Sequence, residues 1–271
     1  LAMHDRGADL LQGLRAAARA IGAQKAFIGI EENKPDVIAS LSKLAQAEKR
    51  LPISVVSLPA RYPQGAERSL IHAITGRTLA AGKLPMEVGV VVVNVCTLIA
   101  VADAVVRGLP VVDKIVTVTG RAVKNPCNVL APIGASFGEV LTACEGFKEE
   151  PAKVIMGGPM MGIAQYTLDV PVIKATSGIL CLPKDEAKAA SIGACIRCGR
   201  CVDACPMGLL PQELGLLADK GAFDKAEAEH VLDCVECGSC TFICPAQRPL
   251  VQWIRNAKTV IRANARKRKA S

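Results

Sequence analysis

At 271 residues with 51% hydrophobic content, the chain can bury a full-sized core, or two to three smaller ones, and needs no disulfide framework to compensate for a thin interior. Only 3% of residues are aromatic while Val, Ile, Leu and Ala abound, the composition of buried parallel strands covered by helices. The net charge of +8 excludes less than it suggests, because the eight Lys and Arg between Arg248 and Ser271 face no acid there, and removing them leaves 25 basic against 25 acidic residues. No nucleic-acid-binding motif accompanies this basic tail, so nucleic acid is not an expected partner. Anionic lipid headgroups, an acidic partner and plain solvation of a fraying terminus remain the readings of the tail.

In chain order, residues 1–20 carry Asp5, Arg6, Asp9, Arg15 and Arg19 and so contain no apolar signal-peptide core. "KAFIGI" (25–30) reads as a strand, after which Asn33 is expected to cap a helix with Pro35 in its first turn and Val37, Ile38, Leu41 and Leu44 at helical spacing. "LPISVVSL" (51–58) predicts a second strand, "AERSLIHAI" (66–74) a second helix, and "VGVVVVN" (88–94) a third strand leading into a helix from about Leu98 to Val106. The apolar run 88–102 holds Asn94 and Thr97 and falls short of the roughly 20 residues that span a bilayer, so no transmembrane segment is expected.

Past Gly108 the texture changes. "KIVTVTG" alternates as a half-buried strand, "NP" at 125–126 marks a turn to a second strand, and Ser136 with Glu139 predicts a capping box on a helix reaching Cys144. Strands are expected near 153–156 and 178–182, with "GGPMMG" between them as a tight crossing whose Met160 and Met161 fill core space, a subunit contact being the second reading. Beyond Pro183 the pattern turns helical, ending in an apolar stripe of Leu250, Trp253, Ile254, Ala257 and Ile261.

Eight of the twelve cysteines lie in "CIRCGRCVDACP" (195–206) and "CVECGSCTFICP" (234–245), each with x2, x2, x3 spacing closed by proline. Neighbouring thiols at x2 spacing compete for partners and suit metal thiolates better than disulfides. Zinc sites typically use two cysteine pairs, whereas three close thiolates, a fourth after three residues and a proline form the two-cluster ferredoxin arrangement, in which the fourth cysteine ligates the other cube. The expected sets are Cys195, Cys198, Cys201 and Cys244 on one [4Fe-4S] cluster, and Cys234, Cys237, Cys240 and Cys205 on the other. Gly199 and Gly238 sit at equivalent points, where positive φ and close approach are useful. Cys96, Cys127, Cys144 and Cys181 read as small buried hydrophobes, and His4, His72 and His230 suggest no triad, so no catalytic side chain is assigned.

With these modules in order, the chain resembles the C subunit of the Rnf complex, the ion-translocating ferredoxin:NAD⁺ oxidoreductase of bacterial membranes. The residues carrying the likeness are "YPQGAE" (62–67), "VTVTGRAVKNPCNV" (116–129), "IMGGPMMG" (155–162) and the two cysteine runs. The resemblance implies three domains: residues 1–110 as a partial flavin/NADH-binding α/β domain with parallel sheet, similar to that of complex I; 111–182 as a small α+β β-grasp (SLBB) domain with return strands; and 183–271 as a mostly α-helical two-cluster ferredoxin domain with a basic C-terminal helix. It also implies Tyr62 and Gly65 beside the isoalloxazine of FMN, Glu67 near the nicotinamide of NAD(H), and Asn94 and Thr97 as flavin hydrogen-bond partners.

No G-x-G-x-x-G occurs and the chain begins at Leu1, so the reading is a fragment lacking the N-terminal part and the flavin-phosphate loop. The implied role is an oxidoreductase component passing electrons between NAD(H), FMN and two [4Fe-4S] clusters to other subunits of a membrane redox complex, including a ferredoxin or ferredoxin-like protein. Its expected place is the cytoplasmic face of the bacterial inner membrane, as a peripheral protein. A non-catalytic iron–sulfur relay and a soluble flavin/iron–sulfur cobalamin reductase are the alternatives.

Overall fold

The computed structural model describes residues 1–80, 82–187 and 191–270, with side chains to residue 268, and divides the chain into two compact units, Leu1–Val111 and Val112–Ser271.

The first unit packs helices on a two-stranded sheet. A short α1 (Ala2–Asp5) precedes α2 (Gly7–Ile21), then β1 (Ala26–Glu31), α3 (Pro35–Gln46), β2 (Ile53–Leu58), α4 (Glu67–Thr75) and α5 (Val95–Ala102), which runs on into a π-helical turn, Asp103–Arg107. β1 and β2 are parallel, in register from Ala26 opposite Ile53 to Glu31 opposite Leu58. Leu10 and Leu11 of α2, Ile28 and Ile30 of β1, Leu41 of α3 and Ile99 of α5 form the core. α2 and α5 touch backbone to backbone. A Cβ at Gly13 would fall 1.7 Å from the Leu98 carbonyl oxygen, so only glycine admits this packing. The same pairing is tied at its edge by Arg6, whose guanidinium donates to both Asp103 carboxylate oxygens at 2.9 and 2.7 Å, and by Arg107, which reaches Asp9 at 2.8 Å.

Two expectations fail here. Residues 90–94 form no strand and join no ladder among the described residues, and a 3₁₀ turn, Pro85–Val88, occupies the start of the expected third strand. Valine propensity favours extended backbone, yet a strand exists only with a hydrogen-bonding neighbour, and β1 and β2 pair with each other; Val91 is left 53% exposed. Asn33 does not cap α3 either. The residue before the helix is Lys34, without a side-chain cap, and Pro35 at N1 sets the first turn.

The second unit opens with a five-stranded sheet, β3 (Asp113–Thr119), β4 (Cys127–Pro132), β5 (Lys153–Met156), β6 (Ile163–Gln165) and β7 (Gly178–Leu182), in the order β4-β3-β7-β5-β6. Only β3 and β7 run parallel; the other neighbours are antiparallel. α6 (Phe137–Ala143) covers the sheet, with Phe137, Val140 and Leu141 buried against Val116, Val118 and Ile179. Its capping box is present: Ser136 Oγ accepts from Glu139 N at 3.2 Å, and Glu139 accepts from Ser136 N at 2.7 Å.

The remainder is helical: α7 (Arg200–Asp203), α8 (Pro211–Asp219), α9 (Phe223–Ala228), α10 (Ser239–Phe242) and α11 (Leu250–Ala270). α11 buries Leu250, Ile254, Ala257 and Ile261 on one face, at the three- and four-residue spacing of a helix stripe, against Leu214 and Ala218 of α8 and Ala226 of α9. No helix among the described residues is long and apolar enough to cross a membrane.

Candidate iron–sulfur and flavin sites

Each cysteine run folds the same way. Arg197 and Glu236 take left-handed φ of 54° and 57°, and Gly199 and Gly238 follow at 77° and 82°, bending the chain around a concavity before a single helical turn, α7 or α10. Two non-glycine residues at positive φ in matched positions mark backbone that its surroundings hold in place, since each costs roughly 1–3 kcal/mol. After each run a turn closes, Gly208 N donating to Cys205 O at 3.2 Å and Gln247 N to Cys244 O at 3.0 Å.

Two cavities result. The first is lined by Cys195, Cys198 and Cys201 together with Cys244. The second is lined by Cys234, Cys237 and Cys240 together with Cys205. Each therefore gathers three sulfurs from one run and the last cysteine of the other. Backbone contacts make the exchange: Gly193 N, just before the first run, donates to Ala246 O, just after the second, at 2.9 Å, and Arg248 donates to Gly193 O at 3.2 Å. A lone zinc with Zn–S near 2.3 Å would need its sulfurs within about 4 Å of one another. Among the described residues no three His, Cys, Asp or Glu side chains form a group that could hold a single metal ion. The donor set and its chemistry fit a cube of iron and sulfide.

The environments differ. Cys195 and Cys198 are exposed, whereas Cys237 and Cys240 are buried. Burial pushes the Cys240 thiol up to about 12, and also raises Cys234 and Cys201. A free thiol there stays protonated, so only a bound cation stabilises the thiolates. Over the second run lies the loop between β5 and β6. The Met160 carbonyl oxygen is 2.5 Å from where a Cβ on Gly238 would stand, and Met161 O accepts from Arg255 Nη2 at 3.0 Å. The methionine side chains do not fill core: Met161 is 48% exposed and Met160 half-buried. "GGPMMG" works through its carbonyls, a role that sequence reading missed because it depends on a partner about eighty residues away.

The candidate flavin residues stand at two helix starts. Tyr62 and Gly65 lie in the loop from β2 to α4, open space surrounds the Gly65 Cα, and Glu67 is the first residue of α4, whose N-terminus has no side-chain cap. Asn94 caps α5, its Oδ1 accepting from Cys96 N at 2.9 Å, and Thr97 N donates to Asn94 O at 3.0 Å. The open glycine fits the flat ring end of a flavin. The Glu67 carboxylate at the helix start repels a phosphate, so these residues do not fit its phosphate end. Of the remaining cysteines, Cys144 and Cys181 are buried as expected, Cys127 is half-buried and Cys96 is exposed.

Comparison with known proteins bears on all three modules. Residues 1–103 match the Nuo51 FMN-binding domain, 115–164 the SLBB domain and 194–248 the 4Fe-4S dicluster domain. The chain is 46% identical over 269 residues to the C subunit of the proton-translocating ferredoxin:NAD(+) oxidoreductase complex of Clostridium ljungdahlii, covering 99% of this chain and 58% of that protein. Over nearly its whole length the chain is thus similar to part of this C subunit. It is 47% identical over 265 residues to the Na(+)-translocating counterpart of Acetobacterium woodii (98% and 59% covered), and 41% identical over 256 residues to the C subunit of the ion-translocating oxidoreductase complex of Rhodobacter capsulatus (94% and 49%). It spans about half the length of the curated relatives it matches. Among solved structures, an NAD⁺-reducing [NiFe]-hydrogenase in the H2-reduced state shares the fold, with TM-score 0.62 at 21% identity over 94% of this chain and 51% of that one.

Proposed function

We propose that this chain is the electron-carrying part of the C subunit in a membrane-associated ion-translocating ferredoxin:NAD⁺ oxidoreductase, moving electrons between NAD(H), FMN and two [4Fe-4S] clusters and on to partner subunits that include a ferredoxin or ferredoxin-like protein. The observation that carries the reading is the crossed lining of the two cavities, four cysteine sulfurs apiece. Cys195, Cys198, Cys201 and Cys244 hold one cluster; Cys234, Cys237, Cys240 and Cys205 hold the other. Cys201 and Cys205 serve different clusters yet stand four residues apart, about 6 Å of helical rise, and so do Cys240 and Cys244. The clusters are therefore close neighbours, as single-electron exchange requires.

In the first unit, Tyr62 and Gly65 flank the flavin ring, Glu67 meets the nicotinamide, and Asn94 and Thr97 offer hydrogen bonds. When bound, the flavin supplies the conversion of a two-electron hydride into single electrons, which no side chain can perform. The chain lies peripherally at the cytoplasmic face of the membrane, held by its partners. A second reading, an iron–sulfur relay without its own flavin, draws support from the Asn94 side chain being engaged in its helix cap.

Anaerobically purified protein decides between them. About eight irons and eight sulfides per chain, one FMN and NADH-dependent appearance of [4Fe-4S]⁺ spin signals are expected. Clusters reducible by dithionite but not by NADH, with no flavin, favour the relay. Zinc in place of iron ends both readings.

A further inference from the structure

α11 presents an apolar stripe to the cluster half of its unit, with one exception. Lys258 falls on that face and is only 4% exposed, while its neighbours Leu250, Ile254, Ala257 and Ile261 are the hydrocarbons expected there. A buried ammonium costs several kcal/mol unless paired and fully bonded, and an apolar residue would pack the stripe without that penalty.

The partners of Lys258 all belong to the second cysteine run. Its Nζ donates to the backbone carbonyl of Cys234 at 2.5 Å and meets Glu236 Oε1 at 2.6 Å. Glu236 is shared: its Oε2 accepts from Arg255 Nε at 3.1 Å, and Arg255 also holds the Met161 carbonyl of the overlying loop. Two cations thus face this carboxylate, and the Lys258 ammonium is seated against the peptide of a cysteine that lines the second cavity.

The first cavity is arranged differently: the residue equivalent to Glu236 is Arg197, exposed to solvent, and Arg248, which also lines that cavity, has its guanidinium 4.8 Å from the Trp253 ring. Charges in the open are screened; a buried one acts at low local dielectric.

We propose that Lys258 is a positioning residue that raises the reduction potential of the second cavity's cluster, through a buried positive charge seated on the Cys234 peptide. This rests on the reading that each cavity holds a [4Fe-4S] cube. One-electron reduction would add a negative charge to a cube, and a fixed cation bonded to the peptide of one of its ligands would stabilise that charge; net charge and hydrogen bonding around a cluster help to set its potential. The direction follows from sign alone.

The test uses the full chain with both clusters loaded, titrated with dithionite and mediators while the two spin signals are followed. Cys205→Ser, which alters a sulfur of the second cavity only, identifies which signal belongs there. Lys258→Met removes the charge and leaves Glu236 paired with Arg255. It is expected to shift the second cluster's electron-exchange equilibrium toward the oxidised form about tenfold, a midpoint about 59 mV more negative for one electron, with the first cluster unmoved. Lys258→Arg restores the midpoint. Glu236→Gln, which keeps Lys258 and removes the opposing charge, moves the same midpoint the other way and serves as the measurement if Lys258→Met fails to retain its cluster. An unmoved second midpoint, an equal shift of both signals or a positive shift in Lys258→Met overturns the proposal. Absence of [4Fe-4S] signals from the unsubstituted protein defeats the cluster assignment itself, and the inference with it.

Discussion

Between the first cysteine run and the second, the backbone repeats almost residue for residue. Arg197 answers Glu236, Gly199 answers Gly238, and α7 answers α10, each beginning directly after its glycine. The surroundings do not repeat. The first run leaves Cys195 and Cys198 at the surface, while the second lies under the carbonyls of Met160 and Met161 and above the ion pairs of α11. Spacing dictates the local wrap because it acts over a dozen residues. Exposure and field around that wrap come from segments distant in the chain, so two identical motifs offer a metal two different environments.

The largest test of the comparison is whether the runs are independent. Cys205→Ser lies in the first run but lines the second cavity, so it is expected to abolish or strongly perturb the second cavity's spin signal, with iron falling from about eight to about four per chain. Loss of the first cavity's signal instead would mean that each run holds its own cluster.

A smaller effect separates the two glycines. Both have positive φ, so alanine strains either site, but a Cβ at Gly199 meets nothing within 4 Å while one at Gly238 meets the Met160 carbonyl at 2.5 Å. Gly199→Ala is expected to cost about 1 kcal/mol and Gly238→Ala about 3 kcal/mol, as backbone has to move. Denaturant melts that gave equal losses would remove the overlying loop from the account of the second run.

The smallest effect is one of pH. In cluster-free protein, burial raises the Cys240 thiol from 9.0 to about 12. The folded chain then keeps a proton that the unfolded chain has released, so this contribution to stability is complete below about pH 9 and is lost as pH rises toward 12. Melting temperature should fall between about pH 8 and about pH 10.5, and Cys240→Ala should flatten that slope. A slope unchanged by the substitution would show that the second run is wetter than its geometry implies.

Much of the architecture was legible in the residues. The strands at 26–31 and 53–58, the Ser136–Glu139 capping box and the α11 stripe all declare themselves through contacts within a few positions of each other. The grouping of Cys205 with the second run's cysteines was legible for the same reason, since the spacing and the proline belong to a known ligand pattern. Failures fell where a distant partner decides. Residues 90–94 have valine propensity but no ladder neighbour among the described residues, Asn33 has the right side chain but is one residue off the helix start, and the "GGPMMG" methionines were read as core although only their carbonyls are used. α2 was not announced by its charges, because its identity as a core helix depends on Gly13 lying against Leu98 of α5.

By itself, then, the sequence determined the matched spacing of the two cysteine runs and most of the helical and extended segments, all of them consequences of short-range spacing and backbone preference. Only the tertiary structure decided that Cys195 and Cys198 are exposed while Cys237 and Cys240 are buried, and that a lysine in an apolar stripe is paired beneath the second run. Burial and field are sums over neighbours brought together by folding, and no window along the chain contains those neighbours.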